Sequence, residues 1–157
     1  MFTDFSQDSF YSWFRLAITF LIGTALNVGM WAIVIVLPEI QNEFNFNRAE
    51  VSILFALTML GFALGNFFLG KLVDRHGIVF TLIVSSSLVL IGFFVSAITN
   101  WFSVLGFCHI LIGLGTAAGF GPLMSDISFW FSRFRGIAVA VAASGNYFSG
   151  IIWPSLI

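Results

Sequence analysis

The chain has 157 residues, of which 59% are hydrophobic and only 8% charged, with 21 phenylalanines and a formal net charge of −1. Ordinary soluble domains carry roughly 25% charged residues, and a water-soluble fold of this size could not hide so much apolar surface. Six Lys+Arg against seven Asp+Glu leave no basic footprint for nucleic acid, and the single cysteine, Cys108, excludes an internal disulfide or a thiolate metal cluster.

What remains is an all-α integral membrane protein whose first partner is the lipid bilayer. The N-terminal tail, residues 1–15, holds Asp4, Asp8 and Arg15. Leu16–Leu37 then runs 22 residues without a formal charge, enough for a helix of about 33 Å across a hydrocarbon core of roughly 30 Å. The run is too long, and its leading segment too acidic, for a cleaved signal peptide. Four more apolar runs follow, at about 51–69, 78–98, 102–124 and 136–157, and every charged residue lies outside these cores. A charge at mid-membrane costs roughly 2.5–3.5 kcal/mol on insertion scales, so the pattern predicts five transmembrane helices over residues 16–157. Barrel strands would instead alternate over about ten residues.

Orientation follows from the basic residues. Arg15, Lys71, Arg75, Arg133 and Arg135 flank one side, and only Arg48 the other, which predicts a cytoplasmic N-terminus in a multi-pass protein of the cell (inner) membrane and an outer position for Ile157. Trp13 and Trp130 fall at the expected inner interface, Trp101 and Trp153 near the outer one. Trp31 lies about two turns inside the membrane, either packed between helices or forming a cavity wall.

The chain also echoes itself. Gly23-Thr24-Ala25 with Gly29 recurs as Gly115-Thr116-Ala117 with Gly121, and Gly65-Asn66-Phe67-Phe68 with Gly70 recurs as Gly145-Asn146-Tyr147-Phe148 with Gly150. The echoes pair spans one with four and two with five, so the expectation is an inverted repeat of three helices, of which a sixth span is the missing member.

The connection between spans two and three reads Gly70-Lys71-Leu72-Val73-Asp74-Arg75-His76-Gly77. It resembles the G-x-L-x-D-R-x-G motif of the major facilitator superfamily, although Ile78 and Val79 stand where basic residues usually follow. The resemblance implies most of the N-terminal six-helix half of a transporter of about twelve spans, whose other half is the missing partner. It also implies that Gly70, Asp74, Arg75 and Gly77 form a cytoplasmic gate. From the residues alone, Gly70 permits a close helix approach, Asp74 caps the start of span three, and Arg75 pairs with an acid, Asp126 being one candidate; helix capping and the positive-inside rule would account for the same charges. Gly119-Phe120-Gly121-Pro122, Trp130-Phe131, Arg135-Gly136-Ile137-Ala138 and Ala143-Ser144-Gly145 are similar to the monocarboxylate and oxalate/formate branch, without that branch's lysine on the first helix.

In the resembled fold, helices one and four line the cavity. Phe20, Thr24, Asn27 and Trp31 share one face by spacing, so Thr24, Asn27, Trp31 and Thr116 are candidate cavity residues; interhelical hydrogen bonding is the alternative for Asn27. His109, with Gly113 and Thr116 on its face, is a candidate for proton coupling or for a bond to a neighbouring helix. Asn66 and Asn146 read as structural, and the glycines of span four with Pro122 as close packing or a hinge. No nucleophile–base pair, phosphate loop, cofactor motif or metal set is present, so an enzyme is not expected. The expectation is secondary active transport of a small solute, an organic anion such as a monocarboxylate, by alternating access on an ion or solute gradient, protons being one option. A drug:proton antiporter and a non-transporting five-helix scaffold are the alternatives.

Overall fold

The structure, a computed structural model, describes residues 7–156; residues 1–6 of the tail and Ile157 lie outside the described residues. It is helical throughout, with no strand among the described residues. Four helical segments, 10–44, 48–98, 102–128 and 135–156, are long and apolar enough to cross a membrane, and the kink at Gly77 divides the second in two; three details differ from the sequence expectation.

Span one is two helices, α1 (Phe10–Leu26) and α2 (Val28–Phe44), separated at Asn27. Ser9 caps α1 by accepting from the Ser12 amide at 3.3 Å. At the far end Asn45 closes α2 in the left-handed conformation, φ 53 and ψ 35. The crossing is longer than residues 16–37 because polar residues that border the hydrocarbon still continue the helix.

The next element, α3 (Arg48–Ile98), opens with a capping box: the Glu50 amide donates to Asn47 Oδ1 at 2.9 Å, and the Asn47 amide to Glu50 Oε2 at 2.8 Å. A straight helix of 51 residues would be about 77 Å long, more than twice the hydrocarbon thickness. It is not straight. Gly77 has φ 80 and ψ 170, a conformation essentially restricted to glycine, and it turns the chain back between spans two (48–76) and three (78–98). Gly61 and Gly65 of span two and Ser85, Val89 and Gly92 of span three consequently reach the same stretch of span four, residues 108–115.

Span four is α4 (Phe102–Thr116), a 3-10 turn (Ala117–Gly119) and α5 (Gly121–Ser128). The break precedes Pro122, which has no N–H to give and whose ring would crowd the carbonyl four residues earlier. Span five is α6 (Arg135–Leu156).

Glycine contacts hold these helices together. Lipid supplies no hydrophobic drive between apolar helices, so association depends on close backbone approach. A Cβ at Gly113 would overlap the Thr58 carbonyl, and one at Gly61 the Ile110 carbonyl. Ser85 adds a hydroxyl bond to the Gly115 carbonyl. Span four is thereby fitted between spans two and three, and span one between spans four and five.

Candidate functional site

The site begins where the two broken spans cross. Asn27 is fully buried, and its Nδ2 donates to the Gly23 carbonyl at 2.7 Å and to the Gly119 carbonyl at 3.2 Å. Positions 27 and 119 differ by 92 residues, the same shift that superposes the Gly23 and Gly115 echoes. Spans one and four thus break at equivalent places and touch there. The second echo is equally physical: Gly65 lies against Leu114 and Ala117 of span four, and Gly145 against Phe20 and Thr24 of span one. Span two packs on span four as span five packs on span one, which is the contact pattern of an inverted repeat.

The expected polar face of span one is divided by its break. Phe20, Thr24 and Trp31 face span five: the Phe20 ring lies 5.5 Å from Phe148, Thr24 Oγ1 is 3.3 Å from the Gly145 carbonyl while donating to the Phe20 carbonyl at 2.9 Å, and Trp31 Nε1 donates to the Asn146 carbonyl at 3.0 Å. Asn27 faces span four instead. Trp153, expected at an interface, turns its indole back to donate to the Thr24 carbonyl at 2.9 Å, one turn before the break. The face of span four is divided in the same way. His109 and Gly113 meet Thr58 of span two, whereas the Thr116 hydroxyl lies against Gly29 of span one. Asn27 Oδ1 and Thr116 Oγ1 are buried with no hydrogen-bond partner among the described residues. They are the crossing's uncommitted polar atoms.

His109 is 5% exposed, with Nδ1 3.2 Å from Thr58 Oγ1. The Thr58 hydroxyl gives its one hydrogen to the Leu54 carbonyl at 3.0 Å, so it accepts from Nδ1–H. In the neutral ring that network assigns Nε2 as the acceptor.

The Gly70–Gly77 motif lies at the end of the bundle where α1 begins, and three expectations about it are corrected. Gly70 makes no close approach: nothing lies within 4 Å of its Cβ position. It borders, with Asp74, a groove of about 250 Å³ against Gly121, Pro122 and Ser125 of span four. Asp74 does not cap span three, because the helix of span two continues through it and turns only at Gly77.

Asp126 pairs with Arg15 rather than Arg75. Arg15 Nη2 is 2.8 Å and Nε 3.3 Å from the same Asp126 oxygen, and the guanidinium stacks 4.4 Å over Trp130. Planar guanidinium suits this combined use better than an ammonium would. Sequence reasoning missed this pair because 111 residues separate the partners.

It also missed Asp8. That carboxylate accepts from the Ser132 hydroxyl at 2.7 Å and from the amides of Ser132, Arg133 and Phe134 at 3.3, 3.0 and 3.3 Å. These amides sit just ahead of α6, so Asp8 is a cap supplied from the far end of the chain. The Arg133 amide and then the Ser132 hydroxyl hold the Asp8 carboxyl below its ordinary value.

Comparison with known proteins agrees with this architecture. Residues 19–157 match the model of the Major Facilitator Superfamily. The MFS transporter asaE of Aspergillus flavus is 34% identical over 97 residues, 61% of this chain and 22% of the relative. The agnestins efflux protein AgnL12 of Paecilomyces divaricatus is 32% identical over 91 residues, 57% of this chain and 21% of the relative. Monocarboxylate transporter 12 of Rattus norvegicus is 27% identical over 143 residues, 88% of this chain and 29% of the relative. The chain therefore spans less than a third of the length of these three relatives.

Proposed function

This chain belongs to the Major Facilitator Superfamily, and from that membership we propose that it is most of the N-terminal half of a secondary active transporter moving a small organic anion, such as a monocarboxylate, by alternating access. One observation carries the mechanism: spans one and four break and cross at repeat-equivalent positions, Asn27 and Gly119. Broken helices at a repeat interface can rock about a fixed midplane site. Asn27 Oδ1 and Thr116 Oγ1, buried and unpartnered at the crossing, reach solute only when the crossing opens, while Thr24 and Trp31 brace span five. Gly70, Asp74, Arg75 and Gly77 form the gate on the N-terminal face, and Arg15–Asp126 is a second tie there. The bias of five basic residues to one supports a cytoplasmic position for that face, in a cell membrane.

His109 is assigned to proton coupling, as the one imidazole buried within a span. The long match to monocarboxylate transporter 12 supports the anion. The test is uptake of radiolabelled monocarboxylates into proteoliposomes of the full-length protein under an imposed pH gradient. The expected result is saturable, gradient-driven accumulation that His109→Gln uncouples. Accumulation unchanged in His109→Gln removes the coupling assignment. Absence of carboxylate uptake removes the anion.

A second reading, drug:proton antiport, draws on the efflux named for AgnL12. It is favoured if the same vesicles expel an apolar compound and ignore carboxylates.

A further inference from the structure

Beyond the crossing, and not resting on the anion reading, the face opposite the N-terminus contains a cavity of about 470 Å³ between α2, the end of span three and the start of α4. Its volume is in the range of small-molecule sites. Ile33, Val36, Phe44, Phe93 and Leu105 make its apolar walls. His109 lines it from span four, about two turns along α4, and Glu43 from the end of α2.

The one formal charge on the lining is negative, Glu43, while Ser96, Thr99 and Asn100 can each donate as well as accept. Nδ1 of His109 is committed to Thr58, which leaves Nε2 as an acceptor. Glu43 is an exposed carboxylate with no ion pair among the described residues. Ser96, on the cavity wall, has a buried hydroxyl with no hydrogen-bond partner among the described residues. No Lys or Arg lines the space. An anion would meet a like charge and no counter-charge. A neutral apolar body would leave the buried acceptors unmatched, which costs about 1–3 kcal/mol per group. A ligand with an aromatic or aliphatic body and one ammonium group meets every condition. Its body fills the walls, its N–H groups reach the acceptors, and its charge faces Glu43 and the Phe44 and Phe93 rings.

We propose that this cavity is a binding site for a small hydrophobic amine in its ammonium form, separate from the midplane crossing of spans one and four.

The experiment measures binding to the full-length transporter in nanodiscs, with empty nanodiscs subtracted, of three probes of one shape: phenethylammonium, 2-phenylethanol and phenylacetate. The expected order at the cavity is phenethylammonium tightest and the alcohol weaker, and any phenylacetate binding, which the anion reading places at the midplane crossing, is left unchanged by Leu105→Trp. Glu43→Gln should weaken the ammonium by up to about fivefold, the scale of an exposed charge pair, and leave the alcohol within about twofold. Glu43 is exposed, so this variant keeps the fold. Leu105→Trp, which fills the cavity, should weaken the ammonium and the alcohol roughly tenfold or more; helical content by circular dichroism checks that it folds. Phenylacetate binding that Leu105→Trp weakens as much as it weakens the ammonium overturns the proposal. So does ammonium binding that both variants leave unchanged, which places the amine elsewhere, or no saturable binding of any probe, which means another part of the transporter fills the cavity. Carboxylate uptake is scored separately, so failure of the anion reading is distinguishable from failure here.

Discussion

The two ends of the bundle are built on different principles. On the N-terminal face, residues more than a hundred positions apart are joined by charge and aromatic contact. Arg15 pairs with Asp126 and stacks on Trp130, Trp13 lies 5.1 Å from Phe131, and Asp8 caps the segment leading into α6. At the opposite face the described ties are mainly aromatic: Phe46 packs edge-on to Phe102 at 4.7 Å, and Phe44 sits 5.8 Å from Phe102. Beside them lies the 470 Å³ cavity. The difference teaches where each end is specified. Ion pairs and capped amides have geometry and fix one arrangement, whereas apolar rings in contact with lipid have little to gain by choosing one neighbour over another. The first face is built to be locked, the second to be adjustable.

The largest effect should come from damage to the layer both ends share. Gly113→Leu drives a side chain into the Thr58 carbonyl and should cost 3 kcal/mol or more, at or beyond the upper end of the overpacking range. Folded yield in detergent should collapse, and binding at the opposite face and ties at the N-terminal face should be lost together.

The lock itself is tested by Arg15→Ala. Asp126 is only 18% exposed on its side chain, so leaving it without a partner should lower thermal stability by about 1.5–3 kcal/mol. The exchange Arg15→Asp with Asp126→Arg should recover part of that loss. A double-mutant cycle with no coupling would mean that the pair does not tie this face. The opposite face should keep its ligand affinity in both variants.

A smaller loss, about 1–3 kcal/mol toward the lower end, is expected for Gly77→Ala. The penalty is the φ of +80, and the space around the residue is open enough for the turn to relax.

The smallest effect is the pH dependence of the Asp8 cap. Its carboxyl is depressed in the folded protein, so its contribution is fully present above the ordinary value of about 3.8 and lost as pH falls through the lower folded value. Amide exchange at Ser132–Phe134, measured relative to its intrinsic rate at each pH, should quicken over that acid range and be insensitive to pH above it. In Asp8→Asn it should be faster at neutral pH.

How much was legible depends on the range of each interaction. The five spans were readable because a helix in lipid must satisfy its own backbone, which leaves a local record of unbroken apolar residues. Gly77 was readable through its motif, and its left-handed φ supplies a physical reason for glycine there. The Asn47–Glu50 box had a readable S/T/N-x-x-E signature that the span-by-span reading passed over. The break at Asn27 had no such signal: no proline stands there, and its side chain bonds both to Gly23 of its own helix and to Gly119 of another. The single polar face expected for span one failed for a related reason, since Asn27 lies at the edge of the stripe of Thr24 and Trp31 and meets a different neighbour, span four. Asp126 was expected to pair with Arg75 and pairs with Arg15 instead, because position along the chain said nothing about which basic residue the tertiary fold would deliver.

The amino-acid order alone indicated a membrane environment, an all-helical fold and the paired echoes of spans one with four and two with five, since each rests on burial cost or on self-similarity along the chain. Tertiary structure alone decided which polar atoms meet: Asn27 with Gly119, Arg15 with Asp126, Asp8 with the start of α6, and His109 between Thr58 and a cavity. Hydrophobicity is a property that each residue carries wherever it goes, and a hydrogen bond exists only once two residues have been brought within about 3 Å of each other.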